Sequence, residues 1–444
     1  MIGKDVECRV VTPIISKGMD FSVNQNPRYK IYSFELRPQS IKGILHFWFR
    51  AIAPRVIDIC RLNLSNIRNE NERKELEKLY GKEKYRGLKF LESMIFGSQN
   101  GKAPFGLVVE YNQTDTVLVG SIGLDNKQRE KFEPSLELKN LSYPLYGTYY
   151  LSTSSPKDNF VCKCLKSGST FKLRFFVKDE LTWNVIYSLL KIVSVLSGFG
   201  AKTTKGFGQF EIINDKDFQR EKYTNLSEIK KLISQVEKTL TDYIKEYDKN
   251  KLIEFGKSTV SDFPNLTDSA FEFYDPIETG TQWHDVMSKL YRASRDSKGW
   301  YRQLKYDLRK VKQENTPKRD VVKNLIECLE GRLKNVEISP AILGMPLQYQ
   351  RLRSKINKVT FYPKVPGEIK DRGRKPSPLR IIINKSGANW AAYGLLLKSK
   401  LTNDDELIYD DSSNFDAKLT TNFGQLSEKI KESINKGGRN HWHR

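Results

Sequence analysis

GFGAKTTKGFGQF, residues 198–210, leads from an apolar run of helical period into FGQFEII (207–213), which has strand composition; its reading decides the fold. A mononucleotide loop of the G-x-x-x-x-G-K-[ST] type follows a strand and opens a helix, whereas here Lys205 precedes Gly206 and a helix precedes the loop. The dinucleotide fingerprint fails as well, because no third glycine stands where it requires one. ATP and NAD are disfavoured. What remains is a glycine-punctuated turn in which Gly200 and Gly206 permit close backbone approach. Lys202, Thr203 and Lys205 set ammonium groups and backbone N–H groups where a phosphodiester could lie. A helix C-cap followed by a plain turn fits the same residues. Since a helix C-terminus is the wrong end for an anion, the lysines must carry any attraction.

Working outward, VECRVVTPII (6–15) is rich in β-branched residues and closes at Pro13 and a Lys-Gly-Met-Asp turn. After Arg37-Pro38-Gln39-Ser40, apolar residues at Ile41, Ile44, Leu45, Trp48 and Ile52 predict a helix. The charged stretch 63–90 is expected to be a solvated helical excursion. GLVVEY (106–111) and FKLRFFVK (171–178) read as strands joined by a long decorated loop, and TWNVIYSLLKIVSVLSG (182–198) as a second helix. The order strand, helix, strand, strand, helix, strand is the ferredoxin-like or RNA-recognition arrangement. It puts the glycine segment between the second helix and the fourth strand.

Beyond Asn214 the texture turns helical. Ile229, Leu232, Ile233, Val236, Leu240 and Tyr243 mark an amphipathic helix, further helices are expected at 283–313 and 318–335, and a last one at 423–436. MPLQYQ (345–350), PLRIIIN (378–384) and NWAAYGLLLK (389–398) read as strands. Two units are expected: residues 1–214, and an α+β domain over 215–444 whose helical part spans 215–340.

Charge is the strongest global signal. With 75 Lys+Arg against 53 Asp+Glu the chain carries +22, and such an excess calls for an anionic partner, nucleic acid by default. The charge is concentrated. Residues 215–255 hold nine acids and nine bases, whereas 351–380 hold ten bases and two acids, making Arg351, Arg353, Arg372, Arg374 and Lys375 candidate phosphate contacts. Residues 284–312 carry nine bases and three acids, enough to expose a basic helical face. No apolar run is long enough to span a bilayer and the N-terminus lacks a signal core, so a cytoplasmic chain without a membrane partner is expected. Five cysteines, at 8, 60, 162, 164 and 328, do not form a disulfide framework. Histidines at 46, 284, 441 and 443 do not complete a zinc set with Cys162 and Cys164, and no metal or other cofactor is expected.

A second candidate surface surrounds the first helix. Arg37 and Ser40 stand at its start, and Lys42, His46 and Arg50 recur every four residues as one stripe. Interleaved with Phe47, Trp48 and Phe49, they suit single-stranded nucleic acid, where bases stack and phosphates pair. A solvated charged face with Trp48 in the core fits the same spacing. His46 is also a candidate general acid or base, although no second positioned group lies near it in sequence.

The segments VVTPIISKG, ELRPQSIKGILHFWFRA, ESMIFGS, GFGAKTTKGFGQF, GMPLQYQ and RKPSPLRI together resemble, in this order, segments of the RAMP proteins of CRISPR systems. Among these the chain is similar to the first subunits of type III-B (Cmr) effector complexes, over residues 6–385. The resemblance implies an α+β fold of two ferredoxin-like (RRM-like) domains with helical insertions. It also implies a non-catalytic subunit that binds guide RNA toward its 3′ end and the paired target RNA, beside other RAMP subunits of the Cmr complex. Family loops often carry arginines where this chain has Lys202, Thr203, Thr204 and Lys205, which replaces bidentate contacts by point charges. Because some RAMP proteins process guide precursors, the alternative is a metal-independent endoribonuclease acting through His46.

Overall fold

The computed structural model describes the chain except residues 26–27, 100, 127–128, 153–154, 293–298, 310–320, 345–346, 351–357, 364–375, 401–405, 410–415, 420–421 and 438–444. The first domain is built on β1 (Ile2–Val10), α1 (Pro38–Ile52), β2 (Phe105–Tyr111), β3 (Thr170–Val177), α2 (Glu180–Leu196) and β4 (Phe210–Ile212). Its sheet runs β4-β1-β3-β2 and every pairing is antiparallel, the ferredoxin-like order expected from the element sequence. Alternation does the sorting. Val6 and Cys8 of β1 pair with Leu173 and Phe171 of β3, and Val10 with Phe210 of β4, on the helix-covered face.

The opposite face of this sheet is a lattice of mixed charge. Arg174 reaches Asp5 at 3.1 Å and Glu110 at 3.2 Å, Lys172 lies 3.7 Å from Asp5, and Arg9 pairs with Glu211 at 3.4 Å. Carboxylates therefore neutralise the surface that an RNA-recognition domain leaves basic and aromatic.

The span between β2 and β3, expected as a loop, joins the stretch between β1 and α1 in a second sheet, and the expected turn at Lys17–Asp20 opens its edge strand. Strand Phe160–Leu165 lies between Ile14–Ile15 and Arg28–Phe34, the latter pairs with the edge strand Lys17–Gln25, and Thr116–Leu118 and Tyr149–Tyr150 also pair with Phe160–Leu165. Thr116–Leu118 and Tyr149–Tyr150 are too short to show a period, and FVCKCL is apolar on both faces, so the span left little alternation to read.

The second domain repeats the pattern with β5 (Phe271–Gly280), α3 (Trp283–Tyr291), β6 (Leu379–Ser386), β7 (Asn389–Leu397) and α4 (Phe423–Gly437). Its described strands run β5-β7-β6, antiparallel throughout, which is the ferredoxin-like order with the place beside β5 left for a fourth strand. Helices Trp300–Leu308 and Val321–Leu329 and a five-stranded sheet are inserted between α3 and α4.

Two apolar cores meet at this second sheet. Ile382, Ala391, Tyr393 and Leu395 join the core of the first domain, while Ile381, Ile383, Ala392 and Leu396 join that of the second. A sheet covered on both faces needs continuous apolar strands, which explains IIIN and AAYGLLL. Helix Leu226–Tyr247 buries Ile229, Leu232, Val236 and Leu240 in the first core, so the packing of the first domain continues past Asn214 to Leu266.

Candidate nucleic-acid interface

The glycines of the 198–210 segment first serve the fold. Phe199 donates its amide to the Gly208 carbonyl at 2.8 Å, Ala201 to Ile15 at 2.7 Å and Gly208 to Pro13 at 3.0 Å. This pins the turn onto the chain that follows β1. A Cβ on Gly198 would sit 2.2 Å from the Gly208 carbonyl oxygen, and one on Gly208, at φ +74°, would sit 1.9 Å from that of Phe199, so no other residue fits either position. Lys202 itself holds a left-handed φ of 64°. Phe199, Phe207 and Phe210 are fully buried, with Phe199 and Phe210 stacked at 4.5 Å. Because these loop amides bond to protein carbonyls, gripping an anion falls mainly to side chains.

Those side chains face a cleft of about 440 Å³ where three segments converge. Lys202, Thr204 and Lys205 come from the loop, Tyr143, Tyr146 and Tyr149 from the inserted span, and Arg302 from helix Trp300–Leu308. The Lys202 ammonium donates to the Tyr146 carbonyl at 2.5 Å. The Lys205 ammonium lies 3.7 Å from the centre of the Tyr301 ring and donates to its hydroxyl, and Tyr291 in turn donates to the Lys205 carbonyl at 3.1 Å. Arg302 lies over Tyr143 at 5.2 Å. With no carboxylate paired to it among the described residues, burial pushes Lys205 down to about 7. Lys305 falls to about 8, by burial and then by the neighbouring Arg309, Lys205 and Arg302. Crowded, desolvated cations destabilise one another until an anion arrives.

The helix stripe has other partners. Glu92, on helix Arg86–Phe96, takes two bonds from Arg50, at 2.7 and 3.0 Å, and lies 2.8 Å from His46 Nδ1, with Lys89 at 3.9 Å. Burial raises the Glu92 carboxyl, but the bonds from His46 and Arg50 and the Arg50 charge overcome it and hold the group at about 2. His46 also packs on Phe96 at 3.8 Å and Lys42 lies over Phe105 at 4.7 Å, while Arg37 pairs with Glu35 at 2.8 Å and Ser40 is exposed in the first turn. Trp48 is fully buried, and Arg380 of β6 covers Phe47 and Trp48 at 4.6 and 5.4 Å. The stripe thus clamps one helix onto another, and its rings are occupied. Arg351, Arg353, Arg372, Arg374 and Lys375 lie outside the described residues.

The model of the RAMP superfamily matches residues 7–211. The chain is similar to the apo crystal structure of Cmr1 from Pyrococcus furiosus, at 14% identity and TM-score 0.49, with 97% of each chain covered. A chain of a type III-B Cmr-β complex bound to cognate target RNA and AMPPnP is similar at 15% identity and TM-score 0.45, covering 97% of this chain and 98% of that one. Cmr6 from Pyrococcus furiosus covers 48% of this chain and 98% of its own, at 15% identity and TM-score 0.26. No curated protein matches the chain.

In the first domain the glycine segment joins α2 to β4, where the element order put it. Tyr143, Tyr146 and Tyr149 were not singled out from sequence, because nothing local distinguishes cleft-lining tyrosines from core ones. Glu92 was missed for a similar reason, lying 46 residues from His46. The basic excess of 284–312 did signal Arg302 and Lys305. Among the described residues no group of three or more His, Cys, Asp or Glu is placed to hold a metal, and no described helix is long and apolar enough to cross a membrane.

Proposed function

We propose that this protein is a non-catalytic RNA-binding subunit of a cytoplasmic type III-B CRISPR (Cmr) ribonucleoprotein complex. It contacts guide RNA toward its 3′ end and the paired target RNA beside other RAMP subunits. The observation that carries this reading is the cleft, in which Lys202, Lys205 and Arg302 converge with three tyrosines. Ammonium and guanidinium groups suit the phosphate backbone, and tyrosine faces suit unpaired bases. Sequence is then read by guide pairing, with protein contacting backbone and shape. The RAMP match and the +22 charge point the same way. The test is filter binding of the purified chain to single-stranded and duplex RNA over a salt series. Lys202→Ala with Lys205→Ala should weaken binding and flatten the salt slope by about two; an unchanged slope refutes the cleft.

A second reading, a metal-independent endoribonuclease, gains one observation: Glu92 orients His46 as a carboxylate orients a catalytic histidine. Against it, Arg50 neutralises the same carboxylate through two bonds. Incubation with labelled RNA in chelator decides, since this reading requires cleavage that His46→Ala abolishes.

A further inference from the structure

The second sheet of the first domain carries an aromatic row that the cleft does not use. Phe21, Tyr32, Phe160 and Tyr150 stand side by side on four strands, with ring centres 5.4, 5.4 and 6.1 Å apart in that order. Register explains the row: Phe21 pairs with Tyr32 and Phe160 with Tyr150, so these rings share one face. Phe21 and Tyr150 are 50% and 45% exposed, and Met19 and Val23 extend the apolar surface along the edge strand. Two ammonium groups lie on the rings, Lys17 at 3.5 Å from Tyr32 and 4.4 Å from Phe160, and Lys30 at 5.4 Å from Phe21. Neither lysine has a carboxylate within 4 Å among the described residues. On the ferredoxin sheet of the same domain, by contrast, Asp5, Glu7 and Glu110 offset the bases.

We propose that this face is a stacking platform for single-stranded RNA, distinct from the cleft. Four rings in a row with uncompensated lysines are what a flexible polyanion bearing flat bases requires. A lysine resting on an exposed ring is held less strongly than a stacked base, so a base displaces it and the freed ammonium meets the adjoining phosphate. A protein partner would need the apolar area without the uncompensated charge. The platform adjoins the cleft through one strand, since Tyr149 lines the cleft while its neighbour Tyr150 ends the aromatic row. The proposal rests on reading the chain as an RNA binder but not on the cleft being the site.

The test uses the full chain and a fluorescent uridine 15-mer, read by anisotropy. Phe21→Ala with Tyr150→Ala removes two half-exposed rings without opening a core. Affinity should fall about tenfold or more with the salt slope unchanged, because stacking releases no counterions. Lys17→Ala with Lys30→Ala should instead lower the slope. Ultraviolet crosslinks to the peptides containing Tyr32 and Phe160 should form in the parent protein. Unchanged affinity in the ring variant, with Lys202→Ala and Lys205→Ala still weakening binding, overturns the platform and leaves the cleft standing; the reverse pattern removes the cleft and keeps the platform. Unchanged RNA affinity together with loss of another Cmr subunit in reconstitution also overturns it, making the face a protein interface.

Discussion

The Gln209 carboxamide and the Arg220 guanidinium meet at 2.8 Å in the seam between the two sheets. Gln209 also donates to the Ile381 carbonyl at 2.9 Å and accepts from the Ile383 amide at 2.8 Å, so one side chain completes the ladder at the free edge of β6. Arg220 continues the seam to the Ser194 carbonyl at 2.7 Å and to Asn384 Oδ1 at 3.0 Å. All four groups are buried. An unpaired backbone edge within a core is expensive, and here a glutamine from the glycine segment closes it.

Replacing Gln209 by Ala leaves the Ile381 carbonyl, the Ile383 amide and one arm of Arg220 without this partner. Stability should fall by about 2–4 kcal/mol. Urea denaturation followed by tryptophan fluorescence checks it, and the single transition should split as the two domains uncouple.

Gly208→Ala should be more severe. The added methyl would lie 1.9 Å from a backbone oxygen at a φ of +74°, a combination of clash and left-handed strain costing more than about 4 kcal/mol. Circular dichroism of the purified variant, if it is recovered soluble at all, should show loss of the cooperative melt.

RNA binding should weaken as pH rises from 6 to 9. Burial holds Lys205 at about 7 and Lys305 at about 8, so both are charged at the low end and lose their protons across this window, and the dissociation constant should rise at least about fivefold at constant salt. Stability runs the other way. The folded value of Lys205 lies below the ordinary 10.5, so the unfolded chain binds the extra proton between pH 7 and 10.5 and stability increases with pH there. Lys205→Met should therefore raise the melting temperature at pH 7 by a few degrees, flatten the pH profile of RNA affinity and weaken binding, a trade of function against stability.

Glu92→Gln tests the helix clamp. The parent carboxyl sits at about 2 against an ordinary 4.5, so its contribution is present above pH 4.5 and is lost as pH falls toward 2. At pH 7 the variant should be less stable by about 2–3 kcal/mol, and the difference should shrink on acidification. Thermal melts at pH 7, 4 and 2.5 follow it.

Local order was legible along the chain because period and turn chemistry are local. The stripe Ile41, Leu45, Trp48 and Ile52 gave α1, alternation in FKLRFFVK gave β3, and their succession gave the ferredoxin-like order of the first domain. The expected helix at 283–313 instead comprises Trp283–Tyr291 and Trp300–Leu308 among the described residues. The expected helix at 318–335 ends at Leu329, and Asn335–Glu337 is a strand. Strand β5, with a register shift between Tyr274 and Glu278, carried too irregular an alternation to be read.

The order of elements, the basic excess and the refusal of a nucleotide loop were therefore already decided in one dimension, since each depends on residue type and spacing alone. The tertiary structure decided which charges are compensated. Lys202 meets Tyr146 only because the span between β2 and β3 folds back over the loop, and Lys202 and Lys205 meet Tyr301 and Arg302 only because the second domain docks on the first. His46 and Arg50 find Glu92 only because helix Arg86–Phe96 lies along α1. Electrostatic and stacking energies depend on distance in space, and groups 42 to 100 residues apart leave no trace of that distance in the order of the chain.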